Sequence, residues 1–254
     1  MQWYEALILG IVEGVTEFLP ISSTGHLILV SSLLGIEQTE VHKTFEVVIQ
    51  LGSILAVVSI FKEKIFHNLK LWKRLIVGFI PTAVIGLILY KLIKSLFAPE
   101  IVAYMLILGG VIFILIELFY KEKDHHIGHI EQVSYKQAFL IGLFQSLAMV
   151  PGTSRSGATI VGGILIGLKR ETATEFSFLL AIPTMLAATT YDIFKHYNEF
   201  DFSQAQALGV GFITAFIVAL GIVKWLLSFV KKHSFIPFGI YRIVVGFIFL
   251  VVVF

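Results

Sequence analysis

Cysteine is absent from the 254-residue chain, and charged residues make up only 14% of it. The absence of cysteine excludes disulfides and thiolate chemistry. Soluble domains carry about 25% charged residues, and so few charges cannot cover a chain that is 57% hydrophobic. The composition therefore excludes a soluble enzyme, a disordered protein and a disulfide scaffold.

An excess of charge of either sign is also missing. Lysine and arginine total 19 against 17 acidic residues, and the net charge of +2 argues against a nucleic-acid partner. Mean hydropathy is +0.91. The apolar residues form long runs rather than the alternating ten-residue segments of a β-barrel. We therefore expect an all-α polytopic membrane protein.

Six apolar stretches approach the roughly 20 residues that a transmembrane helix needs. They are residues 45–61, 75–92, 101–120, 172–193, 205–225 and 236–254. Two further stretches, 6–34 and 138–168, are interrupted by Pro, Gly, Ser and Thr. Non-helical backbone survives at membrane depth only where it is buried in protein or lines a wet cavity. We therefore interpret both stretches as re-entrant helix–loop–helix hairpins.

Basic residues set the expected orientation. The segment 62–74 carries five of them and is placed in the cytoplasm. Alternating the spans then puts thirteen Lys and Arg on the cytoplasmic side and four on the other side. Both termini and the first hairpin are then expected to face outward, and the second hairpin to enter from the cytoplasm.

The two hairpins are related by a shift of 132 residues, which places Ser22 on Ser154. Each half, 1–120 and 133–254, then has one hairpin and three spans. Because three is odd, the halves form an inverted-topology repeat within a single domain, 1–254, and such repeats place their sites near the membrane midplane. The chemistry of the halves differs: Glu13, Glu17, Ser23 and His26 match Gln145, Met149, Arg155 and Ala158.

Two carboxylates of the first hairpin, Glu13 and Glu17, share one face of a helix because they are four residues apart. Acids inside an apolar segment are costly and usually face a cavity or a partner. Together they could bind a divalent metal through oxygen ligands, or serve in acid–base chemistry. The alternative is a structural contact.

Hydroxyl groups follow at the turn before a second helix, in the run Ser22-Ser23-Thr24-Gly25-His26. Exposed N–H groups at a helix N-terminus favour anions. His26 could carry a proton or attack phosphorus itself. The alternative is helix capping by a hydroxyl beside a packed histidine.

An arginine in the second hairpin lies among small hydroxyl residues and precedes a helix, which resembles an oxyanion cradle. A guanidinium binds phosphate oxygens bidentately and stays charged. The alternative is an arginine that extends to the membrane interface. The loop that carries this arginine contains Thr153, Ser154, Arg155, Ser156, Gly157 and Thr159.

The polar residues Glu46 and Gln50, at the start of the first span, could line the same cavity as this loop.

Three segments resemble those of a known family. GIVEGVTEFLPISSTGH (10–26) and PGTSRSGATI (151–160) resemble the two signature segments of undecaprenyl-diphosphate phosphatases, also called bacitracin-resistance proteins, and FEVVIQLGSILAV (45–57) resembles a third. The resemblance implies a bacterial inner-membrane hydrolase. Such an enzyme would convert undecaprenyl diphosphate to the monophosphate at the outer face, recycling the lipid carrier for cell-wall synthesis. It also implies support by Mg²⁺ or Ca²⁺.

The family pattern and the residue chemistry together give the expected site. The catalytic residues are Glu13, Glu17, Ser23, His26 and Arg155, with Glu13 and Glu17 as metal ligands. Substrate binding is assigned to Ser22, Thr24, Gly25, Thr153, Ser154, Ser156, Gly157 and Thr159. Ser23 is the preferred nucleophile, with His26 or water as alternatives. The competing function is a polyprenyl-phosphate flippase, and the sequence leaves a homodimer open.

Overall fold

The computed structural model describes residues 1–37, 39–96, 98–195 and 205–253, and these residues are predominantly helical. No β-strand occurs within those ranges, so the expectation of an all-α protein is confirmed. The helices are α1 (Trp3–Thr16), α2 (Ser23–Leu33), α3 (Glu40–Ile60), α4 (Lys62–His67), α5 (Leu69–Ile88), α6 (Tyr90–Ser95), α7 (Pro99–Phe119), α8 (Tyr135–Ser146), α9 (Arg155–Leu165), α10 (Arg170–Lys195), α11 (Ala205–Phe229) and α12 (Ile236–Val253).

Five described helices are long and apolar enough to cross a membrane. The spans are Val41–Ile60, Leu69–Ile88, Pro99–Phe119, Arg170–Tyr191 and Ala205–Phe229. Large apolar side chains such as Leu87 and Ile217 are exposed on these helices, as on a surface that faces lipid. The chain is therefore a multi-pass membrane protein. The sixth predicted span coincides with α12, whose described apolar part, Ile236–Val251, is shorter.

Both interrupted stretches form two helices separated by a non-helical segment, as predicted. The first break, residues 17–22, joins α1 to α2, and the second break, residues 147–154, joins α8 to α9 through a short 3₁₀ turn. Pro20 and Pro151 lie within the breaks. Proline lacks the N–H that a continuous helix needs, which helps explain why each helix ends there.

The helices pack in pairs that bring the two halves of the chain together. α1 and α3 pack against α11, α8 packs against α5, and α12 packs against α7. Glycines allow the closest approaches: a Cβ added to Gly10 would lie 2.6 Å from the Gly211 carbonyl oxygen, and one added to Gly142 would overlap the Gly78 carbonyl oxygen of α5. Side chains would force these helix pairs apart.

The largest apolar core surrounds the two breaks. Phe18 and Ile21 of the first break pack in the same cluster as Ile160 of α9 and Phe178 of α10. The rings of Phe18 and Phe178 meet edge to face, with centroids 5.2 Å apart. Burying each such ring contributes about 1.5–3 kcal/mol, so the core fixes the two breaks next to each other.

Candidate active site

A serine with an uncommon backbone conformation ends each break. Ser22 has a φ of 72° and Ser154 a φ of 74°, in the left-handed region that residues other than glycine rarely adopt. Each hydroxyl accepts a hydrogen bond from the backbone N–H three residues later, from Gly25 at 3.4 Å and from Gly157 at 3.1 Å. Ser22 and Ser154, two of the three serines predicted to bind substrate, therefore act as helix N-caps.

A cavity of about 140 Å³ lies between the two breaks. It contains one carboxylate and one guanidinium, which face the same small space, and methionines give it an apolar wall. This arrangement suits a ligand with an anionic head and an apolar continuation. The lining residues are Glu17, Ser22, Ser23, Thr24, Gln50, Ala148, Met149, Pro151, Gly152, Ser154, Arg155 and Met185.

Glu17 links the chemistry of the two hairpins. Its Oε2 accepts a hydrogen bond of 2.6 Å from Ser23 Oγ, and its Oε1 accepts one of 3.0 Å from Arg155 Nη2. Only 4% of the Glu17 side chain and 13% of the Arg155 side chain are exposed. A carboxylate that accepts the hydroxyl proton is placed as a general base for that hydroxyl. The arginine holds this carboxylate in position.

Arg155 is itself held from other directions. Its Nη1 donates to the Ser177 carbonyl oxygen at 3.0 Å, and the guanidinium lies 5.5 Å from the centre of the Phe18 ring. Its Nε is buried and has no hydrogen-bond partner among the described residues. A fixed guanidinium that lines the cavity is well suited to bind a phosphate oxygen.

Glu13 lies behind Glu17, away from the cavity lining, and is completely buried. Within the described part of the chain, neither of its carboxylate oxygens has a hydrogen-bond partner. Glu46 and Ser53 are close enough to interact with it, as is Glu17. A buried carboxylate without a partner is costly, and its oxygens fit a hard divalent cation.

A complete metal cage is not assembled around this carboxylate. No group of three His, Asp or Glu side chains in the described ranges lies close enough to hold a metal ion. Both oxygens of Glu17, the other predicted ligand, are engaged by Ser23 and Arg155. Mg²⁺ commonly uses one or two carboxylates and completes its shell with water and substrate phosphates, so a cation shared with substrate would need a Glu17 oxygen released from Ser23 or Arg155.

His26 is buried beside the cavity and points to other partners. Its Nδ1–H donates to the Ser22 carbonyl oxygen at 2.8 Å, and its Nε2 accepts from the Tyr241 hydroxyl at 2.9 Å. The two rings are stacked, with centroids 5.6 Å apart. The imidazole thus stabilises the backbone just before Ser23. The proton acceptor of the Ser23 hydroxyl is Glu17 and not His26.

The predicted hydroxyls after Arg155 mostly join protein elements. Ser156 Oγ donates to the Leu19 carbonyl oxygen at 2.9 Å, which ties α9 to the first break. Thr159 Oγ1 lies 2.6 Å from Ser177 Oγ, and so ties α9 to α10. These residues lie outside the cavity lining, and their contacts support the loop that carries Arg155.

The remaining predicted residues differ in their placement. Thr24 lines the cavity. Gly25 packs closely against Val102 of α7, and Gly157 packs closely against Phe113 of the same helix. Thr153 Oγ1 is buried without a hydrogen-bond partner among the described residues. Thr24 is therefore the one of these four that directly faces the space for a ligand.

Sequence reasoning missed two residues of α12 next to the site. Tyr241 bonds to His26, and Arg242 donates to backbone carbonyls of both breaks. Arg242 had a visible indication, because it is a charge inside the apolar stretch 236–254. The wall residues Met149 and Met185 had none, since nothing in the sequence distinguishes them from other apolar residues.

Comparisons with known proteins agree with the geometry of the site. The family model described as "Bacitracin resistance protein BacA" matches residues 6–248. Proteins named undecaprenyl-diphosphatase are similar over 98% of both chains: 61% identical in Persephonella marina, 63% in a Sulfurihydrogenibium species and 51% in Methanococcus aeolicus. The resemblance of the sequence motifs is thus confirmed, and the chain belongs to the bacitracin resistance protein BacA family.

Proposed function

We propose that this protein hydrolyses undecaprenyl diphosphate to undecaprenyl phosphate and inorganic phosphate, recycling a lipid carrier for cell-wall synthesis and conferring bacitracin resistance. The observation that carries the proposal is the contact of Glu17 with both Ser23 and Arg155 at one cavity. Base, hydroxyl and anion-binding group are the parts that phosphoryl transfer needs.

In the first step, Arg155 binds oxygens of the diphosphate, and Ser23 Oγ attacks the terminal phosphorus. The Oγ–P bond forms as the bond to the bridging oxygen breaks, and undecaprenyl phosphate leaves. Glu17 Oε2 accepts the hydroxyl proton over the existing 2.6 Å hydrogen bond. Charge on the transferred group is stabilised by Arg155, where the substrate competes with Glu17 Oε1.

In the second step, water attacks the phosphoserine, inorganic phosphate is released, and the Ser23 hydroxyl is restored. The protonated Glu17 returns its proton when the Ser23–phosphate bond breaks. His26 keeps the backbone of Ser22 in place through its 2.8 Å hydrogen bond. In this proposal it is a positioning residue, and the N-capping serines hold the start of α2 and α9.

A divalent cation, Mg²⁺ or Ca²⁺, is part of the proposal. Glu13, whose oxygens have no hydrogen-bond partner among the described residues, would hold it. Glu17 Oε1 would be the second ligand once substrate phosphate takes its place at Arg155. When bound, such an ion neutralises phosphate charge and orients the diphosphate. Chelation followed by Mg²⁺ addition tests this part separately.

The finer architecture is also part of the proposal: six spans, two re-entrant hairpins and an inverted repeat. The matched backbone geometry of Ser22 and Ser154 supports it, as does the corresponding packing of α1 on α11 and of α8 on α5. The distribution of lysine and arginine supports a bacterial inner-membrane location with the cavity open to the outer face. A homodimer stays a prediction.

Purified protein in detergent tests the activity directly. We expect phosphate release from undecaprenyl diphosphate with Mg²⁺ and its loss in Ser23→Ala. A phosphoserine trapped by acid quenching would identify Ser23 as the nucleophile, whereas release without that intermediate would point to water. Because detergent removes the membrane, a flippase without hydrolase activity would release no phosphate and would overturn the proposal.

A further inference from the structure

Arg242 is a completely buried arginine in the middle of α12. A guanidinium has five N–H donors and no acceptor, and here each donor has a backbone carbonyl partner. Nε donates to Leu106 at 3.3 Å, Nη1 to Pro20 at 3.1 Å and Thr153 at 2.9 Å, and Nη2 to Met105 at 2.9 Å and Gly152 at 3.0 Å. The side chain therefore bonds to backbone alone.

The five carbonyls belong to three separate parts of the chain. Pro20 is in the first break, midway between Glu17 and Ser23. Gly152 and Thr153 are in the second break, just before Arg155. The other two acceptors are in α7. One side chain thus fixes the loop that carries the base and hydroxyl relative to the loop that carries the anion-binding group.

Helix α7 has no side chain at the point where it contacts this guanidinium. Gly109 of α7 lies directly against it, and a Cβ at that position would overlap Nη2 and Cζ of Arg242. The Phe113 ring lies 6.0 Å from Cζ. The position of the guanidinium is therefore sensitive to a methyl group added on another helix, which allows it to be displaced without removing it.

We propose that Arg242 is a positioning residue that sets the distance between the two breaks, so that Ser23 and Arg155 engage the same diphosphate. This inference rests on the proposed hydrolase function. Ser23 must lie in line with the phosphorus that Arg155 binds, and misplacement by about 1 Å can cost 100-fold in rate. Arg155 keeps its own bond to Ser177, so initial binding depends less on Arg242.

Arg242→Lys tests this role because it keeps the charge but provides three donors from a single point. We expect kcat to fall about 100-fold and KM to change by less than about threefold. Arg170→Lys is the matched control, since Arg170 is also an arginine that joins elements, in this case through Glu117 and away from the cavity. Its kcat per folded enzyme should stay near wild type.

Gly109→Ala provides a second test that leaves every polar group in place. Displacing the guanidinium should lower kcat in the same way as Arg242→Lys. Gly246→Ala is its control: it also crowds the contact between α12 and α7, with a Cβ 2.6 Å from Ile107 Cγ1, but it does not meet Arg242. We expect it to lower the melting temperature while kcat per folded enzyme stays near wild type.

The readouts are kcat and KM normalised to folded protein, with melting temperature measured on the same samples. A fall in kcat in both test variants but in neither control supports the positioning role. An equal kcat in Gly109→Ala and Gly246→Ala, or a wild-type kcat in folded Arg242→Lys, would overturn it. Wild-type enzyme that releases no phosphate would instead contradict the proposed function, so the two failures are distinguishable.

Discussion

Replacing Glu17 by glutamine separates its contact with Ser23 from its contact with Arg155. An amide cannot take the hydroxyl proton. The group that accepts the 2.6 Å hydrogen bond from Ser23 Oγ would therefore no longer act as a base. General-base catalysis contributes about 10²–10⁴-fold. At about 1.36 kcal/mol per tenfold change in rate, we expect a loss of about 2.7–5.4 kcal/mol of transition-state stabilisation, seen as lower kcat.

Binding of a diphosphate analogue should not weaken when kcat falls. In the free protein, Glu17 Oε1 occupies Arg155 Nη2 at 3.0 Å, and a diphosphate must compete with that carboxylate. A hydrogen bond to a charged group contributes about 1.5–3 kcal/mol, and part of this becomes available to the ligand. We expect the Kd of a methylene-bridged diphosphonate analogue, measured in EDTA so that a cation does not contribute, to stay equal or fall by up to about tenfold.

The assay measures phosphate release and, by isothermal titration in detergent, analogue binding. Glu117→Gln is the matched control, because Glu117 is also buried and bonds to an arginine, Arg170. It should lose stability while kcat per folded enzyme stays within about twofold of wild type. A Glu17→Gln enzyme with kcat within tenfold of wild type, or with weaker analogue binding, would refute the assigned roles.

Other changes probe neighbouring groups. Ser23→Ala should lower kcat at least about 10³-fold in the phosphate-release assay, since the attacking oxygen is lost; near-normal turnover would exclude Ser23 as the nucleophile. Arg155→Lys should raise KM about tenfold or more, because lysine lacks the planar fork; an unchanged KM would argue against bidentate binding. Tyr241→Phe should lower kcat by less than about tenfold, since one hydrogen bond to His26 is worth about 1 kcal/mol, and a loss as large as that of Ser23→Ala would contradict this. Glu13→Gln should raise the Mg²⁺ concentration for half-maximal activity about tenfold in a titration after EDTA treatment, and an unchanged requirement would remove Glu13 from the cation site.

The sequence predicted the helix–break–helix form of both hairpins because its cause is local. Proline, glycine and clustered hydroxyl residues prevent a continuous helix wherever the chain goes. Helix ends were less predictable: α5 begins at Leu69, six residues before the predicted span at residue 75. The Asn68 side chain caps that helix by accepting a hydrogen bond from Leu71 N–H. The first turns of α5 contain lysine and arginine, so a search for apolar stretches leaves them out.

The partners of individual side chains could not be read from the sequence. Glu13 and Glu17 are one helical turn apart, yet Glu17 meets an arginine 138 residues away, whereas Glu13 has no hydrogen-bond partner among the described residues. The contact of His26 with Tyr241 spans 215 residues. Such pairs depend on how helices pack, and residue spacing contains no information about them.

The backbone conformation of Ser22 and Ser154 has a consequence for engineering a more stable variant of this protein. A strained backbone with positive φ costs a residue with a side chain about 1–3 kcal/mol. Glycine would relieve this, but it loses the cap, worth a few tenths, and costs about 0.5–1 kcal/mol in chain entropy. Ser22→Gly and Ser154→Gly should therefore be neutral or stabilising. Selection for heat or detergent resistance alone would favour these changes, which lie where the strained backbone ends the two loops of the site.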